Sequence, residues 1–209
     1  VKKWIAIAGA GAVALLYLRS RPRQYIANEV RDLFWDDEEG RWRSNEEVSD
    51  YLREHPERVP LTLITSEARV LSYLDLIQTN AETYDLDPAL IAAIIAKESS
   101  GDYSARGEIG EYGLMQVRAS TAQWLGFRGD PDLLYNPAEN VRYGSAYLAY
   151  QMERYAETAD PVSWAVSAYN AGTAQTKNGR FTNHEYVDHV VNYKLPRYKL
   201  LIDRAMGIY

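Results

Sequence analysis

The amino-acid sequence predicts an all-α fold. Three features carry that prediction. Apolar residues recur at helical spacing, helix-start signals repeat along the chain, and the alternation of a strand is almost absent. The one candidate for a strand is the Gly- and Glu-containing stretch 107–113, which reads as a loop or a small ribbon.

The first element is an uncharged run, Trp4–Leu18, between Lys2 and Lys3 on one side and Arg19, Arg21 and Arg23 on the other. As a helix it spans roughly 22 Å, short of the roughly 30 Å hydrocarbon core of a bilayer. Snorkelling Lys and Arg, with Trp4 and Tyr17 at the interfaces, can extend its reach. Residues 1–23 are therefore expected to be an N-terminal hydrophobic helix that anchors the chain in a membrane. A cleaved signal segment is the rival reading, but Leu18-Arg19-Ser20-Arg21 is no small-residue cleavage site. A buried helix fits poorly with cations at both ends, and those cations are too evenly balanced to set an orientation.

Residues 24–60 read as an acidic linker with one short helix. Over 36–58 there are nine acidic residues against four basic ones, nearly the whole net charge of −6. Ser44 and Glu47 form a capping box, Val48, Tyr51 and Leu52 a short apolar stripe, and His55-Pro56 a stop. From residue 61 to 209 the chain reads as one domain of successive helices. Ser66 precedes a stripe of Val70, Leu71, Leu74 and Ile77. Asp87-Pro88, Asn136-Pro137 and Asp160-Pro161 each place a capping side chain before a proline suited to the first helical turn. Ser120 with Gln123 reads as a further capping box. Gly172 suits a helix stop, and Asn183 starts a last long helix through Val187, Val190 and Val191, interrupted near Pro196.

Composition narrows the chemistry. The 209 residues include 23 Lys and Arg against 29 Asp and Glu, no Cys and three His. An acidic chain without a basic stripe is a poor partner for nucleic acid. Without Cys there are no disulfides, thiolate metal sites or Cys nucleophiles, and His55, His184 and His189 are too scattered for a metal centre. No cofactor is expected. Carboxylates, hydroxyls and amides remain.

One carboxylate stands out. On the helix that starts at Asp87, the residues Leu90, Ile91, Ile94 and Ile95 form an apolar face. Glu98 falls on that face, in the last turn. Apolar surroundings and the helix dipole both favour the protonated form there. A carboxyl group kept protonated can serve as a general acid; a solvated residue at a helix end is the plainer alternative.

The residues around Glu98 resemble the soluble-lytic-transglycosylase family, of the lysozyme-like superfamily and related to goose-type lysozyme. The likeness rests on Ala96-Lys-Glu98-Ser99-Ser-Gly-Asp, then Gly110-Glu-Tyr-Gly113-Leu-Met-Gln116-Val, then Ser120-Thr-Ala. It continues through Asn136-Pro-Ala-Glu-Asn140-Val-Arg-Tyr-Gly144, Ala168-Tyr169-Asn170-Ala-Gly172 and Tyr186-Val187, in that order, across roughly residues 75–195. The resemblance implies a lysozyme-like helical domain that cleaves the β-1,4 bond between N-acetylmuramic acid and N-acetylglucosamine in peptidoglycan, without water. It implies Glu98 as the single general acid and base, and the C6 hydroxyl of the substrate as the nucleophile, leaving a 1,6-anhydro sugar. Gln116, Asn170, Tyr169 and Tyr186 match substrate-binding positions of the family, with Tyr169 similar to the tyrosine that hydrogen-bonds near the catalytic carboxyl. Met115 reads equally as a wall for a sugar ring or as core. No metal is implied. Many family members carry a serine where this chain has Gly107, and Ser104 is not aligned with it. Glu108 and Glu111 lie in the same loop, where goose-type lysozymes place carboxylates that position water, so a hydrolase is one alternative. An inactive glycan-binding or structural protein is another. The expected setting is a membrane-anchored protein facing the cell wall, or a component of a phage particle or secretion machine.

Overall fold

The computed structural model describes residues 35–36, 41–42 and 65–206. The expected anchor at Trp4–Leu18 and the short helix around Val48–Leu52 lie outside the described residues. Among the described residues, no helix is long and apolar enough to cross a membrane. Within the stretch read as an acidic linker, Trp35–Asp36 (β1) pairs antiparallel with Arg41–Trp42 (β2).

The domain from residue 65 onward is predominantly helical. Helix α1 spans Thr65–Leu71 and α2 Leu74–Tyr84. The single stripe expected here is thus divided between two helices. The Ser72 hydroxyl donates to the Arg69 carbonyl at 2.7 Å, a local bond that competes with helix continuation. Val70, Leu74 and Ile77 still enter the core. Helix α3, Pro88–Glu98, begins where the Asp87 carboxylate accepts the Ala89 N–H at 2.8 Å. Every residue from Ala89 to Ala96 is buried, so α3 is the axis of the domain, apolar all round rather than on one face.

A hairpin follows: β3, Glu111–Tyr112, pairs with β4, Val117–Arg118. The ribbon considered for 107–113 therefore exists, and its second strand lies beyond that stretch. Helix α4 spans Ala119–Trp124 and starts from the extended Arg118 with no side-chain cap, so the capping box at Ser120 does not form. A 3₁₀ turn at Pro131–Tyr135 leads into α5, Pro137–Arg154. Asn136 caps α5 through the Ala138 and Glu139 N–H groups. Helix α6, Pro161–Ala171, is capped by Asp160 and ends at Gly172, whose φ of 76° favours glycine.

A second hairpin, Thr176–Lys177 (β5) with Arg180–Phe181 (β6), has no counterpart in the sequence reading. The last long helix is divided. It runs as α7, His184–Asp188, then a π-helical segment, His189–Lys194, then α8, Leu195–Ala205. The wide turn falls just before Pro196, which has no N–H to give to a carbonyl one turn earlier. Helix α3 packs against α8, the π segment, α2 and α1, while α5 packs against α6 and α2. Arg197 on α8 donates to both carboxylate oxygens of the buried Glu67 on α1, at 2.8 and 3.0 Å.

Candidate active site

Glu98 is the last residue of α3, and the side chains after it fix where it points. The Ser99 hydroxyl donates to the Leu114 carbonyl at 2.8 Å, tying the helix end to the β3–β4 hairpin. Gly101 lets the chain pass close to α1, because a side chain there would meet the backbone of Val70 and the Cβ of Arg69. The hairpin is held in turn by Asn140, fully buried on α5. Asn140 accepts the Met115 N–H at 2.7 Å and donates to the Tyr112 and Leu134 carbonyls at 2.6 and 2.7 Å. Three elements are thereby locked around one amide. Asn140 was visible within a motif, yet nothing local marked it as the group that holds the loop.

Between this hairpin and the start of α4 on one side, and α5 and α6 on the other, lies a cleft of about 410 Å³. Glu98, Glu111, Gln116, Tyr147, Tyr169 and Asn170 line it. Four of the six expected site residues are therefore on its wall. Met115 and Tyr186 are not on that wall, for different reasons. Met115 is fully buried, and a side chain added at Gly144 would strike its sulfur at 2.5 Å. Its side chain packs in the core, and its carbonyl accepts the Tyr169 hydroxyl at 2.8 Å. Tyr186, on α7, lies behind Glu98 and donates its hydroxyl to Glu98 Oε1 at 2.5 Å. The tyrosine bonded to the carboxyl group is thus Tyr186, while Tyr169 braces the hairpin. Gln116 uses its amide nitrogen locally, donating to the Gly113 and Ala105 carbonyls at 2.8 and 3.2 Å. It adopts a φ of 48°, uncommon for a residue with a side chain. Asn170 accepts from Asn183 at 3.0 Å, and Asn183 also donates to the Ser167 carbonyl.

Electrostatics single out Glu98. Burial pushes its carboxyl group above the ordinary carboxylate range. The Tyr186 hydrogen bond and Lys97 act against that rise, and the Glu111 carboxylate adds to it. Burial also raises the phenols of Tyr169 and Tyr186 well above the ordinary tyrosine range, with the neighbouring Glu98 as a further cause, so both remain donors.

Gly107 explains the departure in this loop. A side chain at that position would collide with Glu111 Oε2 and lie 2.8 Å from Gln116 Oε1. The space beside residue 107 is already filled by Glu111. That carboxylate sits opposite Arg118 in the hairpin register and accepts its Nε–H at 2.9 Å, while its other oxygen accepts the Ile109 N–H at 3.3 Å. Ser104 turns to Asp102 instead, donating at 2.7 Å. Glu108 is exposed and away from the cleft wall. The described residues contain no cluster of His, Cys, Asp or Glu able to hold a metal.

A helical domain with a partly buried carboxyl group at the end of its central helix, facing a polar cleft, defines a class of protein. The chain belongs to the transglycosylase SLT domain family, whose model matches residues 75–188. It is 34% identical over 112 residues to the "Transglycosylase" of Enterobacteria phage PRD1, covering 54% of this chain and 39% of that protein. It is 34% identical over 136 residues to "Membrane-bound lytic murein transglycosylase C" of Actinobacillus pleuropneumoniae serotype 5b (strain L20), covering 59% and 37%. The chain thus spans less than two-fifths of the length of these two relatives. The crystal structure of the 70 kDa soluble lytic transglycosylase of Escherichia coli aligns over 95% of this chain and 32% of its own length, with a TM-score of 0.47 and 17% identity.

Proposed function

We propose that this protein is a peptidoglycan lytic transglycosylase with Glu98 as its single general acid and base. The observation that carries the reading is Glu98 itself: largely buried, held by one phenol and open to a polar cleft in a chain of this family. In the proposed reaction the Glu98 carboxyl group gives its proton to the glycosidic oxygen between N-acetylmuramic acid and N-acetylglucosamine. The resulting carboxylate then takes the proton of the muramoyl C6 hydroxyl, whose oxygen bonds to C1. The glycosidic bond breaks, the 1,6-anhydro ring forms, and the proton count closes on Glu98. Because the substrate supplies the nucleophile, no second base is required, and the intramolecular geometry replaces a captured water. Asn170 and Gln116 Oε1 offer hydrogen-bonding groups to the sugars.

The presence of Glu111 on the cleft wall favours a second reading, hydrolysis through a water held by that carboxylate. Both of its oxygens are already engaged, by Arg118 and by the Ile109 N–H, which supports the first reading over the second. Substitution of Glu98 by Gln tests the assignment. Gln is nearly isosteric but cannot deliver a proton, and cleavage of peptidoglycan is expected to fall by at least about 10²-fold with the fold intact. A folded Glu98→Gln protein with near-parental activity contradicts the assignment.

One of the two relatives is named as membrane-bound and the other comes from a phage. We read Trp4–Leu18 as a tether that holds the domain at the wall-facing side of a membrane, with a virion or secretion assembly as the alternative setting.

A further inference from the structure

Among the large apolar side chains exposed in the described residues, Trp124 and Tyr150 touch each other. Trp124 is 59% exposed and Tyr150 39% exposed. Their rings meet edge to face at 4.8 Å between centroids. From Tyr150 a series of rings leads inward. Tyr150 stacks near-parallel on Tyr147 at 6.4 Å, and Tyr147 tilts against Tyr169 at 5.4 Å. Tyr147 and Tyr169 line the cleft that holds Glu98, so the exposed pair is the outer end of one aromatic row that starts at the reaction centre.

Helix geometry gives the same direction independently. On α4, Ser120 and Thr121 line the cleft, and Trp124 follows them by four and three residues, on the same helix face. On α5, Tyr150 follows the cleft-lining Tyr147 by three residues. Both walls therefore continue outward by one helical turn, about 5.4 Å, and both end in an aromatic ring. Two touching exposed rings continuous with a polar cleft offer an apolar surface to whatever extends out of that cleft. Its chemistry suits a pyranose. A sugar ring has an apolar C–H face and a rim of hydroxyls, matching an aromatic face beside a phenol.

We propose that Trp124 and Tyr150 form a platform for a further saccharide of the glycan strand whose scissile bond lies at Glu98. The proposal rests on the glycan-cleaving reading above and extends the bound strand beyond the cleft, along α4 and α5.

Calorimetric binding of N-acetylglucosamine oligomers, from disaccharide to hexasaccharide, tests it. The full chain carrying Glu98→Gln serves as the parent, so that no turnover occurs. The parent is expected to bind more tightly as the oligomer lengthens. Trp124→Ala added to it should weaken hexasaccharide binding about five- to tenfold and leave the disaccharide unchanged. Trp124→Phe, which keeps an aromatic face, should retain most of the gain with length. Equal weakening at every length, or none at the hexasaccharide, overturns the proposal. So does a parent that binds the oligomers without any gain on lengthening, which leaves the cleft reading standing. A parent that binds no oligomer at all removes the platform and the glycan-cleft reading together.

Discussion

At the residue scale one carboxyl group and the charges around it set the proposed chemistry. Glu98 is raised by burial and by Glu111, and restrained by Tyr186 and Lys97. The signs give two opposed predictions for the alkaline limb of the kcat/KM profile, where the general acid loses its proton. Glu111→Gln removes a negative charge, eases deprotonation of Glu98 and should move that limb to lower pH, cutting the rate there roughly threefold. Tyr186→Phe removes a hydrogen bond to the carboxylate form and should move the limb to higher pH. Two variants that only loosened the fold would not shift the limb in opposite directions. Part of this site was legible in the residues: Glu98 through its motif and its place in the last turn of an apolar helix, Gln116, Tyr169 and Asn170 through motif order. The pairing of Glu111 with Arg118 over Gly107 was not, because it depends on a hairpin register that only the folded loop sets.

At the element scale the local signals and the tertiary ones separate. Asp87, Asn136 and Asp160 cap helices as expected, since a cap needs only its own first turn. The stripe across residues 70–77 divides, the box at Ser120 fails, and a π segment precedes Pro196. The first follows a side-chain bond at Ser72 and the last the missing N–H of Pro196, neither of which the apolar spacing reveals, and two-residue strands such as β5 and β6 carry too little pattern to read. Asn140 belongs to this scale because one buried amide joins α5, the 3₁₀ turn and the hairpin. Asn140→Ala leaves the Met115 N–H and two carbonyls without their partner. It is expected to destabilise the domain by about 2–4 kcal/mol in denaturant unfolding, with activity falling further than stability as the hairpin drifts from Glu98. The Arg197–Glu67 bridge joins α8 to α1 away from the cleft. Arg197→Met should cost roughly 2 kcal/mol by the same measurement, since a buried carboxylate loses a bidentate partner, while the kcat/KM of the folded fraction stays near parental.

At the scale of the whole molecule, the described domain contains every group that the proposed reaction uses. A chain beginning at Leu61 is therefore expected to cleave isolated sacculi, and an insoluble or inactive product would show that the preceding residues belong to the catalytic fold. The mechanism requires a proton shuttle and no metal, so prolonged chelation should leave the rate unchanged; loss restored specifically by zinc would contradict it. In the proposed mechanism Glu98 serves as both acid and base while the substrate supplies the nucleophile. Mass spectrometry of the muropeptides released from purified sacculi, with Glu98→Gln run beside the parent, tests it most directly. The expected result is 1,6-anhydro ends from the parent and no release from the variant; reducing ends from the parent, or anhydro ends from the variant, would contradict the mechanism.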